Sequence, residues 1–174
     1  LGWGYSANGD FLGNIQNADR SLQPWVGPDV TSVMLDFDNE PGFSMATPTF
    51  NRPVMEFLAS MGQREPAGPL MRRLAGPSYD KGEDNAGGRL VLRDGALDLL
   101  WDYEAQNREL VARQEAAMRA LARAYGGTYG NLPTWDLYRR IMTVHNLGGC
   151  ALSTSADTGV VGVDGQVHGH PGLY

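Results

Sequence analysis

The stretch over residues 88–127 constrains the fold most. Two apolar runs, Gly88-Arg89-Leu90-Val91-Leu92 and Ala96-Leu97-Asp98-Leu99-Leu100-Trp101, flank Arg93-Asp94-Gly95. An Asp-Gly pair supplies the positive φ angles that tight antiparallel connections need, so this segment predicts a β-hairpin. A long helix is expected directly after it, over residues 104–125. There Leu110, Val111, Met118, Leu121, Ala122 and Tyr125 recur at three- and four-residue steps and make one apolar face. On the opposite face Glu104 and Arg108, Glu109 and Arg113, and Glu115 and Arg119 stand four residues apart with the acid first, the favourable order for solvated helix pairs. Gly126-Gly127 is a C-terminal stop.

Upstream, Gly2-Trp3-Gly4-Tyr5-Ser6-Ala7-Asn8-Gly9 suits tight turns and close backbone approach. Residues 31–38 alternate as a strand, closed by Asn39-Glu40-Pro41-Gly42. Val54, Met55, Phe57, Leu58 and Met61 have helical spacing within residues 53–62. Residues 71–76 predict a short second helix ending at Gly76, and residues 80–88 a polar loop. Strands on both sides of a long helix, without regular β-α alternation, predict an α+β fold with a mostly antiparallel sheet.

The 174 residues allow one domain, or one domain and part of another. Apolar residues at 42% and charged residues at 20% are ordinary globular usage, which argues against disorder. A net charge of −6 gives no electrostatic reason to bind a phosphate backbone, so nucleic acid is not expected as a partner. No apolar run reaches the roughly 20 residues of a membrane span, and a soluble protein of open compartment is expected. The single cysteine, Cys150, excludes an internal disulfide within these residues and any multi-cysteine metal site. The sequence starts at Leu1 and stops at Leu173-Tyr174 just as a strand-like run begins, so it is expected to be a piece of a longer polypeptide.

Among the three histidines, His145 has the most unusual surroundings, Met142-Thr143-Val144-His145-Asn146-Leu147-Gly148-Gly149-Cys150. An imidazole followed closely by two glycines sits where backbone can approach a ligand, and its titration range suits a general base. His168 and His170 read as turn residues, because no third ligand lies nearby and zinc sites use three or four. Asp36, Asp38 and Glu40 lack calcium-loop spacing and read as strand-end solvation. Cys150 has no neighbouring cation to lower its pKa and reads as structural. No metal is expected. Neither G-x-G-x-x-G after a strand nor a phosphate-binding G-x-x-x-x-G-K-[ST] occurs.

The run from His145 to Cys150, followed by Asp157-Thr158-Gly159-Val160-Val161, Asp164-Gly165-Gln166-Val167-His168-Gly169 and Gly172-Leu173-Tyr174, resembles the C-terminal region of the glucose-methanol-choline oxidoreductases. Two glycines and a cysteine after the histidine look most like the branch that contains the bacterial cholesterol oxidases. Gly2-Trp3-Gly4 with Asn8-Gly9 is similar to the segment that precedes the substrate domain there, and the hairpin with its helix is similar to the elements leading to the active-site histidine.

The resemblance implies FAD as cofactor and oxidation of an alcohol by hydride transfer to flavin, with a sterol or another bulky apolar alcohol as the candidate substrate. His145 would be the acid/base, and Asn146, Gly148 and Gly149 would lie against the cofactor. Asp36 falls in the strand where that branch carries a catalytic glutamate, and Asn146 stands where the family usually has proline. Residues 1–140 would form the substrate-binding domain, and residues 141–174 the start of the segment returning to the FAD-binding domain. The implied partners are the alcohol and the FAD-binding part of the parent chain, with a membrane surface only for a sterol. Without that part the chain is not expected to hold FAD or to be active. Met34, Leu35, Phe37, Phe43, Met45, Phe50, Met55, Phe57, Leu58 and Met61 suit either an apolar pocket or an ordinary core. The competing expectation is a non-enzymatic domain that binds an apolar ligand with the same fold.

Overall fold

A computed structural model describes residues 1–19, 23, 25–28, 30–60 and 74–174, with only the backbone described at residues 31, 55, 58–60 and 74–80. Eight strands and four helices follow in chain order: β1 (Trp3–Tyr5), β2 (Phe11–Gln16), β3 (Val30–Asp36), β4 (Phe43–Pro48), α1 (Arg52–Ser60), β5 (Leu74–Gly82), β6 (Gly88–Arg93), β7 (Ala96–Leu100), α2 (Tyr103–Gln106), α3 (Arg108–Ala124), β8 (Thr128–Asn131) and α4 (Pro133–Tyr138). They form a three-stranded sheet ordered β1-β6-β7 and a five-stranded sheet ordered β3-β4-β5-β2-β8. Every ladder between these strands is antiparallel, so the α+β expectation holds.

The hairpin is β6 and β7. Arg93 pairs with Ala96 across a two-residue turn whose residues, Asp94 and Gly95, have φ of 51° and 77°. Positive φ at both central positions is the turn that matches the twist of paired strands.

The predicted long helix divides at Asn107. Its buried side-chain carbonyl accepts the Asn85 N–H at 2.8 Å while its amide lies 3.2 Å from the Tyr103 carbonyl oxygen. That side chain competes with the helical ladder and separates α2 from α3. Asp102 caps α2 by accepting the Ala105 N–H, and Gly126, at φ 64°, ends α3 as its position after the cap requires. The apolar face lies where its period puts it. Leu110, Val111, Met118 and Ala122 are buried, the first three in a core with Phe11, Phe43, Met45 and Trp135. Phe11 meets Trp135 edge-to-face at 5.0 Å.

The helix charges pair differently from the i,i+4 expectation in two of three cases. Glu115 and Arg119 do meet, at 3.5 Å. Arg113 instead reaches the β3–β4 connection, bonding Asp36 at 2.7 Å, the Asn39 carbonyl at 3.1 Å and the Pro41 carbonyl. Glu104 faces Arg139 at 3.8 Å. For Arg113 the partly buried tertiary partners outcompete an exposed helix pair, which is worth only about 0.3–0.5 kcal/mol; the Glu104–Arg139 pair is itself exposed.

Residues 74–82 form β5, which corrects the helix expected to end at Gly76 and the loop expected from Asp80. Strand neighbours on both sides, β4 and β2, satisfy its backbone and override weak local signals. Residues 71–73, Met61 and the side chains of Met55 and Leu58 lie outside what is described. Of the apolar set, Phe43 and Met45 are core, whereas Met34, Leu35, Phe37 and Phe57 are exposed.

Met118→Ala, at a fully buried position, is expected to cost about 2–5 kcal/mol in urea denaturation. Leu97→Ala on the exposed hairpin should stay within about 0.5 kcal/mol.

Candidate functional site

Beyond Tyr5 the chain leaves the three-stranded sheet and enters the five-stranded one at Phe11. The turn between them has Asn8 and Gly9 at φ of 56° and 62°. The Asp84 carboxylate holds this turn, accepting the Ser6 hydroxyl at 2.7 Å and the Ala7 and Gly9 N–H groups at 2.9 and 3.0 Å. From the other side the fully buried Gln114 of α3 donates to the Gly9 carbonyl at 2.8 Å. Asp10 follows directly and is itself fully buried. Burial first, then the charges of Asp84 and Asp10, push the Tyr5 and Tyr103 hydroxyls above their ordinary 10.0 and keep both neutral.

Asp10 receives the segment that carries His145. The Thr143 hydroxyl lies 2.7 Å from Asp10 Oδ2 and the Val144 N–H donates to it at 3.2 Å. Thr143 Oγ1 also accepts the His145 N–H at 3.1 Å, bracing the loop from within. His145 Nδ1 lies 2.9 Å from Oδ2 and 3.2 Å from Oδ1 of Asp10. An ionised carboxylate only accepts, so paired with one the Nδ1 contact is a ring N–H donating to Asp10. The imidazole remains 36% exposed against a carboxylate at 0%.

After His145 the chain lies antiparallel beside β1. Ser6 and Leu147 exchange N–H···O bonds at 2.9 and 3.0 Å, Gly149 N–H donates to Trp3 at 3.1 Å, and Gly2 N–H donates to Gly149. Gly148 and Gly149 have φ of 79° and 80°, and a Cβ on Gly148 would fall on the Gly4 carbonyl oxygen. Gly148 therefore serves a close approach to the chain's own backbone, whereas Gly149 faces the Leu90 side chain. Asn146 is exposed, between Val144 and Leu147, which are also exposed.

The remaining candidates lie elsewhere. Asp36 accepts from Asn39 Nδ2 at 2.9 Å and from Arg113 Nη2 at 2.7 Å, which hold its carboxyl below the ordinary 3.8. His168 Nε2 sits 3.1 Å from the Ser153 carbonyl, His170 is exposed, and Cys150 is an exposed thiol. Among the described residues no group of three or more His, Cys, Asp or Glu side chains is placed to hold a metal. Sequence reading missed Asp10. Its one local signal is an acid opening a strand, Phe-Leu-Gly-Asn-Ile-Gln, that has no other charge.

An α+β scaffold presenting a half-exposed histidine backed by a buried carboxylate has the makings of an acid/base centre. Residues 94–174, which carry β7, α2, α3, β8, α4 and the His145 loop, match the family model for GMC oxidoreductase. The match supports the GMC family and a flavin-dependent oxidoreductase kind of function. No curated protein matches the chain. No described helix is long and apolar enough to cross a membrane.

Gly148→Ala is expected to cost about 1–3 kcal/mol, because the left-handed conformation strains any β-carbon. Faster hydrogen exchange at the Leu147 and Gly149 amides would locate the damage at β1. Asp36 should contribute acid-dependent stability. Its folded pKa lies below 3.8, so the contribution is present above that pH and is lost as pH falls through the lower folded value. Asp36→Asn should flatten that part of the acid-unfolding curve, and an unchanged curve would contradict the assignment.

Proposed function

We propose that this chain supplies the acid/base and the substrate-facing wall of an FAD-dependent enzyme that oxidises an alcohol. The observation that carries the reading is the half-exposed His145 ring, with Nδ1 on a buried carboxylate and Nε2 left as the basic nitrogen. A neutral imidazole is an effective acceptor for a hydroxyl proton near neutral pH. His145 would orient the alcohol by accepting its hydrogen bond at Nε2, and would hold the proton as the C–H bond breaks. FAD, when bound, supplies the hydride acceptor.

The fit to FAD rests on the edge formed by His145 and Asn146. Asn146 is exposed there and offers both donor and acceptor. Gly148 and Gly149 would act indirectly, by keeping that edge seated on β1. Asp36, engaged by Arg113 and Asn39, is better suited to tying β3 to α3 than to taking a proton.

In this reading residues 1–140 form the substrate-binding part, and residues 141–174 bring the histidine toward an FAD-binding part of the same polypeptide. A sterol or another bulky apolar alcohol is the proposed substrate class. The likeness of His145-Asn146-Leu147-Gly148-Gly149-Cys150 to the cholesterol oxidase branch supports it. So do the exposed apolar side chains of Leu35 in β3, Phe37 just after it, and Val54 and Phe57 in α1.

The test is stopped-flow reduction of the flavin in the FAD-loaded full-length polypeptide that carries these residues, with cholesterol and a panel of smaller alcohols. His145→Ala and His145→Asn should slow bleaching about 10²–10⁴-fold, the usual worth of a general base. An unchanged rate of reduction would overturn the role. Sterol binding without any flavin reduction would instead identify an apolar-ligand-binding domain.

A further inference from the structure

We infer that Asp10 is the positioning residue for His145, selecting the ring tautomer that leaves Nε2 basic and stabilising the imidazolium formed when Nε2 takes a proton. The inference deepens the acid/base reading and rests on it.

Three observations lead there. The carboxylate is fully buried, and a buried anion persists only where donors converge on it. Donors to Asp10 include the Thr143 hydroxyl, the Val144 N–H and the His145 ring, three consecutive residues of one segment. The structure thus aims one fixed negative charge at the loop that bears the imidazole.

The carboxylate is also held in place. Its backbone N–H donates to the Ala7 carbonyl at 3.1 Å. The preceding Gly9 is bonded by Asp84 through its N–H and by Gln114 through its carbonyl. The following side chain, Phe11, sits in the core. Asp10 therefore cannot follow the ring, and the ring must settle against it.

The third observation is the disposition of Thr143. The same Oγ1 that bonds Asp10 accepts the His145 N–H. Main chain and side chain of His145 are thereby referred to a single carboxylate. A structural tie would need only the Thr143 and Val144 bonds. The further contact to Nδ1, at 2.9 Å, chooses between tautomers.

Proton accounting is simple. The substrate hydroxyl proton goes to Nε2, the Nδ1 proton stays on the ring, and Asp10 remains ionised throughout. Replacing such a carboxylate by its amide in a histidine-based site favours the wrong tautomer and has cost about 10⁴-fold in rate. The Tyr5 and Tyr103 hydroxyls, which feel this charge, are neutral, and Asp84, the other anion of this corner, is bound to the 6–9 turn.

Two measurements on the FAD-loaded full-length polypeptide test it. The first is the ring ¹⁵N shifts of His145, assigned by their loss in His145→Gln. Wild type should show a protonated Nδ1 and an unprotonated Nε2 in the neutral ring, and Asp10→Asn should move the proton toward Nε2. The second is flavin reduction. Asp10→Asn should slow it about 10²–10⁴-fold, while the alcohol concentration giving half-maximal rate stays within threefold. A wild-type ring protonated on Nε2, or Asp10→Asn reducing flavin at the wild-type rate, would overturn the inference. The wild-type shifts decide the matter even if no Asp10 variant folds. If His145→Ala reduces flavin normally while the shifts are as expected, the acid/base reading falls and the tautomer assignment stands.

Discussion

The two sheets meet at a corner where two of their connections run side by side, and the Asp84 carboxylate holds it. Of the three passages between sheets among the described residues, one runs from β1 through residues 6–10 into β2, a second from β5 through residues 83–87 into β6, and the third from β7 through α2 and α3 into β8. Asp84 lies in the second passage and binds the first through Ser6, Ala7 and Gly9, while also accepting the Ala86 N–H of its own turn. Charge-assisted bonds of this kind are about twice as strong as neutral ones. Core packing, the Asp10 position and the His145 loop are all downstream of this corner. Gln114 reaches it from the middle of α3, so helix and corner are registered against each other.

Carboxylates recur as the organising groups. Asp36 draws Arg113 from α3 to the end of β3, Asp84 joins the sheet passages, and Asp10 gathers the segment 143–145. In each case an anion on one part of the chain answers donors far away in sequence. The acidic excess is thus partly structural, since these three charges are spent internally.

What was legible in the sequence was what local chemistry decides. The Asp94-Gly95 turn sets the hairpin register within four residues, and the three- and four-residue period of Leu110, Val111, Met118 and Ala122 marks the buried face of α3. The strand at β3 and the helix at α1 were likewise local. The break at Asn107 was not, because its partner Asn85 lies 22 positions away. β5 was misread because its stability comes from two neighbouring strands rather than from its own residues, Leu-Ala-Gly-Pro-Ser-Tyr-Asp-Lys-Gly. The histidine stood out by its glycine-rich surroundings, but Asp10, 135 positions upstream, carried no mark linking it to that loop. The space beside Gly148, which the sequence offers to a ligand, is occupied by the Gly4 backbone of β1.

The seating of the His145 loop on β1 and Asp10 has a thermodynamic corollary. The segment is bound by main-chain bonds on one side of the imidazole, at Leu147 and Gly149, and by a buried anion on the other. Its conformational entropy is therefore surrendered once, when the chain folds. Whatever meets the exposed edge afterwards finds a ring already oriented, with dipoles that do not reorganise on contact. A molecule arriving there is sorted by shape and by where it places its own hydrogen-bond donor, because the protein side of the encounter is stationary.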